Sequence, residues 1–102
     1  MKFIAERSFE KSSKNLPKNV QLSILKFIKE IEAVTVITEL RNIKKLTSDK
    51  NDPQNYYRYK TGNYRLGFIL ETDALIRLVI ASHRKEIYNK LHLIIGLNLD
   101  LQ

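Results

Sequence analysis

Tyr56-Tyr57-Arg58-Tyr59-Lys60-Thr61-Gly62-Asn63-Tyr64-Arg65-Leu66-Gly67-Phe68-Ile69-Leu70 carries the signal that sets the fold class. Aromatic and branched residues alternate with cations on either side of Thr61-Gly62-Asn63, the pattern of a β-hairpin. With Gly62-Asn63 as a two-residue loop, Thr61 lies opposite Tyr64. Period-two alternation then puts Tyr57, Tyr59, Tyr64, Leu66, Phe68 and Leu70 on one face and Arg58, Lys60, Arg65 and Gly67 on the other. A second turn at Thr72-Asp73-Ala74 leads into Leu75 to Ser82, making a three-strand meander. Three turn residues there place Ile76, Leu78 and Ile80 with the apolar set and Arg77 with the cations. One face should pack on helices, and the other should offer three or four cations around a glycine.

Upstream, Phe3 to Arg7 reads as a first strand, Ser8 as a helix cap, and Phe9 to Asn15 as two helical turns. Pro17 suits a first helical position. After it, Val20, Ile24, Phe27, Ile28, Ile31 and Val34 recur at helical spacing, with Lys18, Lys26, Lys29 and Glu30 opposite. That stripe belongs to a core-facing helix. Ala33 to Leu46 reads as a helix end and a connection with one further turn, and Thr47 to Asn55 as a polar loop. Downstream, His83 to Lys90 resumes a helical habit. Leu91, Leu93, Ile95, Leu97, Leu99 and Leu101 alternate strictly, which argues for a strand or extended arm. The fold class is therefore α+β: a small antiparallel-rich sheet, made of an N-terminal strand and a three-strand meander, packed against two N-terminal helices with a short C-terminal helix. The order is β-α-α-β-β-β-α.

The 102 residues suffice for one domain with one core and leave little room for a cofactor cavity, so none is expected. Net charge is +7, and its distribution is uneven. Residues 41–65 hold seven basic side chains (Arg41, Lys44, Lys45, Lys50, Arg58, Lys60, Arg65) against Asp49 and Asp52. A patch so concentrated suits a polyanion. The absence of cysteine excludes disulfides and thiolate metal sites. Charge at Lys2, Glu6 and Arg7 argues against a signal peptide, and no uncharged run approaches the ~18 residues of a membrane helix. A cytoplasmic protein without membrane association is expected.

His83 and His92 are nine apart with no bracketing carboxylate pair, so no metal site is expected. No phosphate-binding glycine loop or serine triad motif is present. What remains is cation-assisted phosphate chemistry. Metal-free RNA cleavage needs an activated 2′-OH, in-line geometry, charge neutralisation and a proton for the leaving oxygen. The guanidinium fork matches phosphate oxygens and keeps its charge, which makes Arg58, Arg65 and Arg84 candidates, with Lys60 as a compact charge or proton donor. Two bases are open: a histidine, with its near-neutral pKa, or a tyrosine whose phenolate neighbouring cations stabilise. Single cations on an outer sheet face are ordinarily just solvated, and tyrosines in strands ordinarily pack. The joint pattern is what points to function.

That pattern resembles the RelE/ParE toxins. The resemblance covers residues 3 to about 90, and its motifs are the Ile43-Lys44-Lys45-Leu46 lead, Tyr57 to Phe68 with its Gly-x-Tyr-Arg, and Leu78-Val79-Ile80-Ala81-Ser82-His83-Arg84-Lys85-Glu86-Ile87-Tyr88. It implies a toxin domain over residues 1–90, with 91–102 as a C-terminal extension. Within the RelE branch it implies a toxin of a type II toxin–antitoxin system, a metal-independent endoribonuclease cutting mRNA in the ribosomal decoding site. Carried over by position, Arg58 and Lys60 match the two basic strand residues, with Arg in place of the usual Lys at the first. Arg65 matches the phosphate-neutralising arginine, and Arg84 and Tyr88 match the C-terminal arginine and the tyrosine that acts as base or stacking platform. Lys44, Lys45, Lys50 and His83 are the candidate RNA-binding residues, with His83 the alternative base. The implied partners are a cognate antitoxin protein and mRNA on the ribosome. A ParE-like DNA gyrase inhibitor and a plain nucleic-acid-binding module are the alternatives.

Overall fold

The computed structural model describes residues 1–46 and 55–95. The polar loop from Thr47, Lys50 with it, and the tail from Gly96 lie outside the described residues. The elements are β1 (Lys2–Ala5), α1 (Arg7–Lys14), α2 (Lys18–Ala33), a 3-10 turn (Ile37–Glu39), β2 (Ile43–Lys45), β3 (Asn55–Thr61), β4 (Tyr64–Thr72), β5 (Leu75–His83) and α3 (Ile87–Ile95). The five strands stand in the order β1-β5-β4-β3-β2; β1 runs parallel to β5 and the other pairs are antiparallel. The α+β class and element order agree with the sequence reading, with one addition. Ile43 to Lys45, expected within a connection, is an edge strand: among the described residues its one ladder is the three-residue pairing with β3.

The helices follow from local chemistry. Pro17 stands as the N-cap of α2, one position before the expected one, and the helix ends where the β-branched Val34-Thr35-Val36 begins. The Glu39 carboxylate then accepts the backbone N–H groups of Thr35 and Val36, both at 3.1 Å, and so shapes the 3-10 turn. Val20, Ile24, Phe27 and Ile31 of α2 are buried, with Ile28 and Val34 partly so. Each fully buried side chain of this size contributes about 1.5–3 kcal/mol. α1 begins at Arg7 with Glu6 as N-cap, so Ser8 is not the cap expected of it. Its hydroxyl donates instead to the Val79 carbonyl, while Ser12 Oγ accepts the Ala81 N–H at 3.0 Å. These two serines, one helical turn apart, satisfy the β5 edge beyond Leu78, where the short β1 stops.

The hairpin register is the expected one, Thr61 opposite Tyr64. Gly62 has φ +57° while Asn63 stays on the negative side, the pattern of a II′ turn. The next turn is tighter than expected: Thr72 pairs with Leu75, leaving Asp73-Ala74 as the loop and Glu71 as a bulge. Ile76 and Leu78 still join the helix-facing core. Ile80 does not. Gly67 pairs with Ile80 but Phe68 with Leu78, so Val79 is an extra residue in β5, and the frame slips by one. Ile80 consequently faces away from α1 and α2, and Ala81 takes the place expected for it.

The outer face is not simply cationic either. Leu46, Tyr56, Ile69, Val79, Ile80, Ile87 and Leu91 form a second buried cluster, roofed by α3. The helix runs without interruption through Leu91 to Ile95, so this part is neither a strand nor an extended arm. It starts at Ile87 rather than at His83, which ends β5. Among the described residues, no helix is long and apolar enough to cross a membrane.

Candidate functional site

Strand parity assembles the outer face around β3 and β4. Lys44 pairs with Arg58, Arg58 with Gly67, Lys60 with Arg65, and Arg65 with Ser82. Cross-strand partners and residues two apart share a face, so Lys44, Arg58, Lys60 and Arg65 stand together. The glycine among them serves packing. A Cβ at position 67 would meet Leu91 Cδ2 at 2.8 Å, so any larger residue there would force the Leu91 side chain to shift. The fourth expected cation, Arg77, is neutralised at the far end of β5 by ion pairs with Glu71 and, at 3.4 Å, Glu6.

Arg65 is the centre of the cluster. Its Nη1 donates to the carbonyls of Gly62 and Tyr64, both at 2.9 Å, so the hairpin turn fixes its guanidinium. Burial lowers its pKa from the ordinary arginine value, and the charges of Arg58 and Arg84 push it the same way, while Tyr88 opposes them. Three of the other sequence-predicted catalytic residues, Arg58, Arg84 and Tyr88, thus act on Arg65 electrostatically. The fifth, Lys60, is the direct cross-strand neighbour of Arg65 and is exposed.

Several backbone contacts hold this group in place. Asn42, at φ +61°, turns its carbonyl to accept the Lys60 N–H at 2.9 Å and Arg58 Nη1 at 3.4 Å. The Arg84 N–H donates to the Asn63 carbonyl at 2.8 Å, tying the end of β5 to the hairpin turn. Tyr88 packs against the second cluster from the first turn of α3. The Ser82 hydroxyl donates to the Glu86 carboxylate at 3.4 Å.

Two candidates are not on this face. Lys45 pairs with Tyr57 and belongs to the helix-facing side. His83 pairs with Tyr64, and its ring meets that of Tyr64 edge-on with centroids 5.4 Å apart. The cause is the bulge at Val79, which turns Ser82 toward Arg65 and His83 away. Its Nδ1 accepts the Lys85 N–H at 3.2 Å. Sequence reasoning missed Ser82, Glu86 and Asn42. A lone hydroxyl closing the apolar run Leu75 to Ala81 was the available signal for the first. Among the described residues, no three His, Asp or Glu side chains gather as a metal site.

No family profile matches the chain. Toxin RelE3 of Methanocaldococcus jannaschii is 34% identical over 91 residues, covering 87% of this chain and 97% of that protein. A chain of the RelB–RelE antitoxin–toxin complex from Methanococcus jannaschii superposes with a TM-score of 0.68 at 30% identity, over 85% of this chain and 96% of that one. The archaeal RelE–RelB complex from Pyrococcus horikoshii OT3 shares the fold at a TM-score of 0.63 and 23% identity, over 81% of this chain and 93% of that one.

Proposed function

The chain belongs to the RelE toxin family, and from that premise we propose that it is the toxin of a type II toxin–antitoxin pair, a metal-independent endoribonuclease that cuts mRNA in the ribosomal decoding site. The observation that carries this reading is the shared outer face: Lys44 and Gly67 flank Arg58, Lys60 pairs with Arg65, and the Arg84 N–H is tied to the Asn63 carbonyl of the same hairpin turn, with the charges of Arg58, Arg84 and Tyr88 acting on Arg65. Clustered guanidiniums repel one another, and a phosphate relieves that repulsion. Partial burial of Arg65 strengthens its pull on such an anion.

In the proposed step the ribose 2′-oxygen attacks the adjacent phosphorus and the bond to the 5′-oxygen breaks. The Tyr88 phenolate takes the 2′-OH proton and becomes the phenol, Arg58, Arg65 and Arg84 hold the phosphate oxygens, and the Lys60 ammonium gives a proton to the leaving 5′-oxygen. The products are a 2′,3′-cyclic phosphate and a 5′-hydroxyl. Tyr88 is favoured over His83 as base because the β5 frame sets His83 against Tyr64, on the side away from Arg65. Lys44, beside Arg58, extends the basic face along which RNA would lie; the ribosome supplies the rest of the alignment.

A cognate antitoxin protein is the proposed partner, since the related toxins were solved as RelB–RelE complexes, and an acidic segment would suit the basic surface. The toxin works in the cytoplasm, where its substrate is.

Induced expression in a bacterial host tests the reading. Growth arrest should accompany discrete transcript cuts within codons by primer extension, and both should vanish in Arg65→Ala and Tyr88→Phe. DNA damage without transcript cuts would replace this reading with a gyrase inhibitor. Unhindered growth with salt-sensitive RNA binding would leave only a binding module.

A further inference from the structure

We propose that Ser82 and Glu86 form a positioning pair that locks the link between β5 and α3, and so sets Arg84 and Tyr88 against Arg65. The inference rests on the ribonuclease reading for its consequence and on the geometry alone for the lock.

Ser82 is 2% exposed and stands directly across from Arg65 on the cationic face, a place it owes to the extra residue at Val79. Its hydroxyl donates to Glu86 Oε2 at 3.4 Å. Glu86 lies midway between Arg84 and Tyr88 in the chain. Its own N–H donates to the His83 carbonyl at 2.9 Å, and its carbonyl accepts the Lys90 N–H at 3.0 Å. Its carboxylate also meets Lys90 Nζ at 3.3 Å. That pair is largely exposed and is too weak to hold the link by itself. The buried Ser82 hydroxyl is the carboxylate's partner on the sheet.

The proposed effect of Glu86 passes through Ser82 and the turn that its own N–H helps to close. The turn matters because Arg84 sits in it and Tyr88 leaves it one helical turn later. A misplacement of about 1 Å in such groups costs on the order of 10²-fold in rate.

The test is single-turnover cleavage of mRNA on programmed ribosomes by the full chain, with ribosome concentration varied to separate kcat from KM. Ser82→Ala and Glu86→Ala should each lower kcat roughly tenfold or more with KM within about twofold of the parent. The double variant should be no slower than the worse single one, and Glu86→Gln, which keeps an acceptor oxygen, should recover most of the rate lost in Glu86→Ala. Amide hydrogen exchange gives a second readout: the N–H groups of Arg84, Glu86 and Lys90 should exchange faster in Ser82→Ala, while those of Leu66 and Phe68 stay as they are. Unchanged rates and unchanged exchange would overturn the pair, as would Glu86→Gln being as slow as Glu86→Ala. If the parent chain cuts no RNA, the ribonuclease reading falls, and the exchange pattern still decides whether the lock exists.

Discussion

Leu91 of α3 lies over Gly67 of β4, so closely that a methyl group at position 67 would stand 2.8 Å from Leu91 Cδ2 and 3.3 Å from its Cγ. Gly67→Ala must push the buried Leu91 outward, and overpacking of this kind costs about 1–3 kcal/mol. Tyr88 rides on the same helix, so the proposed cleavage should fall as well. Leu91→Ala alone should destabilise by leaving a void. Combined with Gly67→Ala, it should cost less than the two separately, because the new methyl fills part of that void. Urea unfolding midpoints for the four proteins check the coupling; strict additivity would show that the two residues do not share this space.

Phe27 anchors the other side of the sheet. It is fully buried and stacks on Tyr59 with ring centroids 3.8 Å apart and planes within 9°. Phe27→Ala should destabilise by about 3–5 kcal/mol, a large share of the roughly 5–15 kcal/mol that holds a domain folded. Phe27→Leu should lose much less. Equilibrium urea unfolding measures both.

The hairpin was legible because Gly62-Asn63 is a strong turn signal and the flanking residues alternate without interruption. Register followed, and with it the grouping of Arg58, Lys60 and Arg65. The bulge was not legible. Between Leu75 and Ala81 every residue but Arg77 is apolar, so a slip of one position breaks no pattern, and Ile80 fits either face. Ser82 and His83 beyond it depend on that slip. The start of the tail misled for a related reason: Leu91 and Leu93 alternate as in a strand, yet Ile87 and Leu91 are also four apart, as a helix requires. Contact with Gly67, a tertiary fact, is what decides between them. Strand β2 shows the same limit, since three residues at an edge carry no period of their own. The roles of Arg84 and Tyr88 came from resemblance, and their nearness to Arg65 came from the fold.

Stability should fall at alkaline pH through Tyr59. Burial raises its pKa above the usual tyrosine value, the charge of Glu30 adds to this, and a hydrogen bond with Thr61 opposes it. The folded state thus holds the phenolic proton more tightly than the unfolded chain. The resulting stabilisation is complete below the unfolded value of about 10 and is lost as pH rises through the higher folded value. Melting temperatures measured from about pH 8 to about pH 11 should decline less steeply in Tyr59→Phe than in the parent.

Lysine should not replace Arg65. The guanidinium braces itself on two carbonyls and still has donors left for a phosphate, which an ammonium on a flexible stem cannot reproduce. Arg65→Lys should lower kcat by about 10²–10³, the range for losing one preorganised donor to a developing charge. Single-turnover rates at fixed salt measure this, and a Lys variant with the parental rate would show that charge alone suffices.

The identity of the new RNA ends is the sharpest test of the proposed chemistry. Programmed ribosomes incubated with the purified chain should yield an upstream fragment ending in a 2′,3′-cyclic phosphate and a downstream fragment beginning with a 5′-hydroxyl. Neither should form with Arg65→Ala or Tyr88→Phe, provided that both variants keep the parental unfolding midpoint. Uncut mRNA, fragments carrying a 5′-phosphate, or equal cutting by Arg65→Ala would contradict it.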